Sequence, residues 1–166
     1  MGSYKKYSKR DQKTLATCAA QWAQHVLPYF EESFRDDKRP RRAIEACRKW
    51  VRTGVFKMTE IRDASLSSHA AARDANEVPV ACFAARSAGH AVATAHVTQH
   101  AYGAAYYALK AVAAHDYSKA EVNTAREREW QSRRLPTNLR KEFLKRVIIQ
   151  KEDRGISIKI RKGKGF

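Results

Sequence analysis

The spacing of apolar residues predicts helices along most of the chain. Apolar residues recur every three or four positions, which is the repeat of one face of an α-helix. The first such stripe comprises Leu15, Cys18, Ala19, Trp22 and Val26. Further stripes predict helices over residues 36–54, 59–76, 119–133 and 139–148. Proline lacks the N–H that an interior helical position needs, so Pro28 is expected to end or kink the first helix.

Residues 80–115 form the most unusual segment, because 14 of these 36 residues are alanine. The segment is apolar on every side of a helix, which is typical of a buried helix. Gly89 either marks a close helix crossing or interrupts the helix. His96 and His100 are four residues apart and should share one side. On an ideal helix His90 lies about 120° away from His96, so His90 should contact a different neighbour.

These patterns predict an all-α fold, a single-domain bundle of about six to seven helices around a central Ala/His-rich helix, with a basic extended C-terminal tail. We expect a basic flexible N-terminus over residues 1–10, a helical domain over residues 11–150 and a basic tail over residues 151–166. In the tail, Ile156, Ile158 and Ile160 alternate with polar residues, which is the pattern of a strand. The tail is therefore expected to be strand-like or disordered, and it could lie on the helices or add to a partner's sheet edge.

Composition narrows the class of protein. No apolar run approaches the roughly 18 residues that span a bilayer, so no membrane association is expected. The first residues are basic and lack an apolar segment, which argues against a secretion signal. Cys18, Cys47 and Cys82 are well separated and form no CxxC pair, as expected for reduced thiols in a cytoplasmic protein.

The net charge of +16 is concentrated at the two ends of the chain. Residues 1–13 contain five Lys or Arg and one acid, and residues 134–166 contain eleven Lys or Arg and three acids. Such ends attract acidic protein surfaces, nucleic acid or anionic lipid without choosing among them. The candidate nucleic-acid contacts are Lys5, Lys6, Lys9, Lys159, Arg161, Lys162 and Lys164.

Two sets of side chains are candidates for a site. One set is cationic and could line a cleft that binds an anion or an acidic partner, or could be a solvated helix face. It comprises Arg39, Arg42, His69, Arg73 and Arg86. The other set is His90, His96 and His100, which either line a pocket or tie helices together as buried polar groups.

Catalytic motifs are incomplete. The spacing of His96 and His100 could hold a divalent metal, but Val97 stands where the HExxH motif has its glutamate. His115-Asp116 matches a dipeptide of helical metal-dependent phosphohydrolases without the further ligands that such a site needs. We therefore expect no metal, no cofactor and no catalytic residue, and keep a metal-dependent helical hydrolase as an alternative.

Several segments together resemble the immunity protein family of bacterial polymorphic-toxin systems. They are residues 37–46 (DKRPRRAIEA), Trp50, residues 69–75 (HAAARDA), residues 85–97 (ARSAGHAVATAHV), residues 127–131 (EREWQ) and residues 134–136 (RLP). The resemblance extends from about Trp22 to Val147, and residues 89–97 are its most specific part. It implies a compact all-helical bacterial protein of the cytoplasm that binds and neutralises a toxin.

The resemblance and the charge together favour a non-catalytic binding protein. A protein with a net charge of +16 cannot imitate nucleic acid, so its protein partner, the cognate toxin, should be acidic. Nucleic-acid binding through the basic ends is the alternative, and it predicts an affinity that falls steeply with salt. The oligomeric state is left open.

Overall fold

The structure is a computed structural model that describes residues 6–163 and residue 166. Within these residues it contains seven α-helices, a 3₁₀ turn over Tyr117–Lys119 and one two-stranded sheet, which confirms the all-α class. The helices are α1 (Lys9–Glu31), α2 (Arg39–Thr53), α3 (Met58–Asp74), α4 (Pro79–Ala93), α5 (His100–His115), α6 (Ala120–Arg133) and α7 (Thr137–Arg146). The strands are β1 (Val147–Lys151) and β2 (Ile156–Ile160).

Helix α1 begins where a side chain satisfies its first backbone donors. The Ser8 hydroxyl accepts a hydrogen bond from the Asp11 N–H at 3.0 Å, as an N-cap residue does. The helix continues through Pro28 to Glu31, so of the two predicted effects an end at the proline is wrong and a kink stays a prediction. The side chain of Trp22 on α1 is fully buried, because this helix packs against both α4 and α5.

Helix α2 lies within the predicted range of residues 36–54. Pro40 occupies its first turn, where a missing N–H has no consequence. Gly54 ends the helix with φ of 69°, a left-handed conformation that favours glycine. The following loop leads directly into α3.

The predicted central helix over residues 80–115 is two helices. Residues 94–99 form a turn, and α5 folds back against α4. The Gln12 side-chain amide donates to the carbonyls of Thr94 and Ala95 at 3.0 and 3.1 Å, which satisfies the end of α4 from a distant helix. Helix α4 packs against α1, α2, α3 and α5, and is therefore the central element.

Small residues let these helices approach closely. The Ser68 hydroxyl donates to the Ala85 carbonyl at 2.7 Å, which joins α3 to α4. The Ser87 hydroxyl donates to the Ala104 carbonyl at 2.8 Å, which joins α4 to α5. Direct bonds from a side chain to the backbone of a neighbouring helix require short side chains in the interface. The alanine-rich faces therefore pack backbone against backbone.

The C-terminal segment forms a hairpin and gives β2 a partner within the chain. Strands β1 and β2 pair antiparallel, with Val147 opposite Ile160 and Lys151 opposite Ile156. The prediction that Val147 and Ile148 extend the last helix is wrong, since α7 ends at Arg146. Consecutive β-branched residues favour the strand here. The division of the chain at residue 150 stays a prediction.

Candidate functional site

Three histidines from three different helices converge beside the α4–α5 turn. His69 lies on α3, His90 lies on α4 and His100 begins α5; we call them the histidine cluster. The Nδ1 atoms of His90 and His100 are 3.2 Å apart, so one ring donates a hydrogen bond to the other. The rings of His69 and His90 meet edge to face with centroids 5.1 Å apart. Tyr107 stacks on His90 at a centroid distance of 5.3 Å.

Two glycines make room for this cluster. A Cβ on Gly89 would lie 2.8 Å from Cε1 of His69, and a Cβ on Gly103 would lie 2.5 Å from Nδ1 of His90. Both distances are too short for carbon in contact with a ring. Gly89 therefore marks a close helix crossing on α4, and Gly103 marks a second one on α5.

Burial keeps the imidazoles neutral at neutral pH. Desolvation lowers the pKa of His90 to about 3, with a further contribution from the charge of His69. Desolvation and the Arg86 charge lower the pKa of His69 to about 4. Burial also lowers the pKa of His100. A neutral imidazole has one donor and one acceptor, so the His90–His100 hydrogen bond joins α4 to α5 without a buried positive charge.

Among residues 6–163 and 166, no group of three His, Cys, Asp or Glu is arranged to hold a metal ion. The hydroxyl of Ser65, the one on α3 nearest the groove, donates to the Gly89 carbonyl at 3.0 Å rather than to an imidazole. His115 stacks on Tyr29, and Asp116 accepts a hydrogen bond from the Ser118 hydroxyl. The predicted dipeptide thus lies at the far end of α5, away from the cluster.

His96 does not pair with His100 as the helical spacing predicts. His96 lies in the exposed turn between α4 and α5, and its ring stacks on Phe56 at a centroid distance of 6.5 Å. His90 takes its place beside His100, because the fold-back of α5 brings residues ten apart in sequence into contact.

The predicted cationic cleft divides into two groups. The Arg39 guanidinium lies 2.6 Å from an Asp37 carboxylate oxygen and 2.7 Å from one of Asp74, and it holds the pKa of Asp37 below its ordinary range. The charge of Arg42 acts on the same aspartate. Arg73 and Arg86 instead lie near enough to His69 to lower its pKa. Partner binding by these residues stays a prediction.

A surface that the sequence did not predict lies next to the cluster. Five large apolar side chains are 39 to 60% exposed there, and we call them the apolar patch. They are Val55, Phe56, Met58, Leu66 and Val97. Only Val55 and Phe56 could have been identified as exposed from the sequence. They follow Gly54, which ends α2, and they lie outside the two helices predicted over residues 36–54 and 59–76.

A groove of about 460 Å³ opens beside the patch. Its rim includes Met58, Leu66 and Arg62, and His69 and His100 of the histidine cluster also line it. The groove thus connects the apolar patch on the surface with the neutral imidazoles beneath it.

The two basic ends meet close to the histidine cluster, because Ile160, Lys162 and Phe166 line a second cavity together with His90 and His100. The hydroxyl oxygens of Tyr7 and Tyr102 are 3.2 Å apart, and the Phe166 ring packs against Tyr102 at a centroid distance of 5.9 Å. Lys6, Lys9, Lys159, Arg161 and Lys162 are exposed on these end segments. Lys5 and Lys164 lie outside the described residues. Contact of any of these side chains with nucleic acid stays a prediction.

None of the described helices is both long enough and apolar enough to cross a membrane. A protein-family model described as "Imm-5 like putative immunity protein" matches residues 5–138. This range contains α1 to α6 and ends at the start of α7, so the basic hairpin lies outside it. Neither the curated proteins nor the solved structures gave a significant match.

Proposed function

The chain belongs to the Imm-5 like immunity protein family, and we propose that it neutralises a bacterial toxin by binding it. The family match carries the proposal, because it extends over α1 to α6 and so includes every residue of the patch and the groove. In this function the protein covers a surface of the toxin, and no residue of the chain has a catalytic role. The toxin belongs to a polymorphic-toxin system in which producer cells protect themselves.

Charge indicates the chemistry of the partner. The net charge of +16 repels basic proteins and accelerates encounter with acidic ones. The proposed toxin is therefore acidic over the surface that is bound. Affinity should fall as salt rises, because screening weakens attraction between exposed charges.

We assign this binding to the cytoplasm. All three cysteines are free thiols, and Cys18 and Cys47 are buried. Free thiols are the usual state of cysteines under reducing conditions. A toxin with an intracellular target would be met in this compartment.

Co-expression tests the proposal. Cells that express the toxin encoded beside this gene should survive only when this protein is present, and the two proteins should co-purify. Cells with an empty vector and cells with an unrelated helical protein of similar charge serve as controls. Loss of viability despite normal expression of this protein, together with no complex, would contradict the proposal.

A second candidate function is nucleic-acid binding by the basic ends. One observation favours it: both end segments contact Tyr102, so charges that are far apart in sequence lie on one side of the molecule. The hairpin that supplies Lys159 lies outside the family match, whereas Lys6 and Lys9 lie within it.

Gel-shift titrations over a range of salt concentrations test this second candidate. The double substitution Lys159→Gln/Arg161→Gln should lower the slope of log affinity against log salt by about 1.8 on duplex DNA or about 1.4 on single strands, since two phosphate contacts are removed. Lys119→Gln/Arg126→Gln, at exposed positions of the 3₁₀ turn and of α6, removes the same charge and should leave the slope unchanged. A full-length protein that shifts neither DNA nor RNA at low salt would rule this candidate out.

A further inference from the structure

We propose that the apolar patch and its groove are the toxin-binding surface, and that they receive an apolar side chain from an acidic segment of the toxin. This inference rests on the proposed function and adds to it the location of the interface and the chemistry of the bound segment.

The five patch residues come from three parts of the chain that the fold brings near one another. Met58 and Leu66 line the groove together with His96. His96 stacks on Phe56, which brings the α4–α5 turn against the loop before α3. Val97 follows His96 directly, and Val55 precedes Phe56. Met58 and Leu66 therefore border the groove, and Val97 lines an adjoining cavity that shares His100 with it.

Exposed apolar side chains are distributed unevenly over the surface of the described residues. Among the described residues, seven large apolar side chains are highly exposed, and five of them belong to the patch. The other two, Tyr117 and Val122, lie on the 3₁₀ turn and on α6. Contiguous exposed apolar surface marks protein interaction sites, whereas single exposed apolar residues are ordinary.

The groove suits an uncharged side chain. Its lining is formed largely by aliphatic groups and by the neutral rings of His69 and His100. Its volume of about 460 Å³ is enough for a large aliphatic or aromatic side chain with neighbouring backbone. Side chains of this kind, seated in a pocket at the centre of an interface, supply most of the binding energy in protein complexes.

The surroundings of the patch are basic, which selects an acidic segment as the occupant. Residues 48–63 contain five Lys or Arg and two acids. One of these acids, Glu60, is already paired with Lys49 and Lys57 at 3.3 and 3.1 Å. Arg62 is exposed at the rim of the groove. An apolar anchor flanked by Asp or Glu in the toxin would meet complementary charge here.

The test compares one charge placed at two equally exposed apolar positions. Leu66 in the patch is 53% exposed and Val122 on α6 is 54% exposed. Binding of an inactivated form of the toxin encoded beside this gene is measured by titration calorimetry. Leu66→Asp should weaken binding by about 30-fold or more, as expected for a residue at the centre of an interface. Val122→Asp should leave binding within about two-fold, and Leu66→Met should retain it.

Circular dichroism and thermal melting check that each variant is folded. If Leu66→Asp unfolds at a lower temperature than the wild type, Phe56→Ser in the preceding loop replaces it and should weaken binding to the same degree. Arg62→Glu should weaken binding and reduce its dependence on salt. Wild-type protein that does not bind the toxin at all would refute the proposed function. Wild-type binding that Leu66→Asp leaves intact, or that both Asp variants weaken equally, would overturn this location while leaving the function standing.

Discussion

Replacing Gly103 with alanine tests how tightly α5 packs on the histidine cluster. The new Cβ would lie 2.5 Å from Nδ1 and 2.8 Å from Cγ of His90. Cγ is the atom that attaches the ring to its stem, so the ring cannot swing away by rotating about that bond. Helix α4 cannot retreat either, because it is packed against four other helices. The clash must therefore separate α4 from α5 or displace His90 from His100.

Three effects set the change in the free energy of unfolding, two of them destabilising and one stabilising. Overpacking a close-packed core costs about 1–3 kcal/mol. Loss of the hydrogen bond between His90 and His100 adds about 1 kcal/mol. Alanine is favoured over glycine inside a helix by about 1 kcal/mol, which offsets part of this. Gly103→Ala should thus lower the free energy of unfolding by about 2 kcal/mol, within the range of these estimates.

Gly89→Ala is the matched control. Its Cβ would meet Cε1 and Nε2 of His69 at 2.8 Å, but these atoms are the far end of that ring. The groove beside His69 leaves space into which the ring can move. We therefore expect overpacking to be nearly offset by helix propensity at this position, with a change within about 0.5–1 kcal/mol.

Urea denaturation followed by circular dichroism measures both effects. A double-mutant cycle with His90→Ala isolates the clash. In the His90→Ala background, Gly103→Ala should become neutral or stabilising by up to about 1 kcal/mol, because only the propensity term remains. If Gly103→Ala is equally destabilising in both backgrounds, His90 is not what the glycine accommodates, and the reasoning fails.

Two further predictions concern titratable groups. The pKa values of His69 and His90 are about 4 and about 3, below the ordinary value of 6.5. At pH values from 6.5 down to about 4, the unfolded chain therefore binds more protons than the folded chain. The free energy of unfolding should fall as the pH drops below 6.5. The free energy of unfolding should fall by roughly 2 kcal/mol from pH 6.5 to pH 5, which is about half the full linkage value because the rings are partly exposed. Urea denaturation midpoints that do not change over this range would contradict this prediction. Iodoacetamide should label Cys82 well before Cys18 and Cys47, whose pKa values burial raises to about 11 and about 12, and mass spectrometry of the labelled peptides shows the order.

Local signals in the sequence were sufficient for most helices. The segment around Asp37 and Pro40 begins α2, and Gly54 ends it, because proline and glycine act on their own backbone whatever surrounds them. The period-two isoleucines likewise predict β2. Its partner β1 was missed, since Val147 and Ile148 also complete the apolar stripe of α7.

The break between α4 and α5 depends on distant contacts. Residues 94–99 contain no Gly or Pro, and only the β-branched Thr94, Val97 and Thr98 weaken the helix there. The groups that stabilise the turn include the amide of Gln12, which is 82 residues away from Thr94 in sequence. Residues ten apart on a continuous helix would be separated by about 15 Å along its axis. The His90–His100 pair could not be predicted without this turn.

The apolar patch was missed for a similar reason. Its residues belong to separate segments, and each alone reads as an ordinary apolar position. Leu66 is an apolar residue of the helix predicted over residues 59–76, yet its side chain is exposed and lines the groove. Only the packing of α3 against α4 decides which side of α3 is covered. Surfaces assembled from several elements therefore cannot be predicted from the spacing of apolar residues in the sequence.

The small-residue contacts between α3, α4 and α5 have a consequence for the entropy of binding. Alanine and glycine lose almost no rotamer freedom when they are buried. A core built from them has few alternative side-chain arrangements, so it cannot repack to suit a partner. Preorganised surfaces of this kind bind with little further ordering of their own backbone. Adaptation to a changed toxin should therefore proceed through substitutions in the α2–α3 loop and the α4–α5 turn, while α4 itself stays nearly fixed in composition.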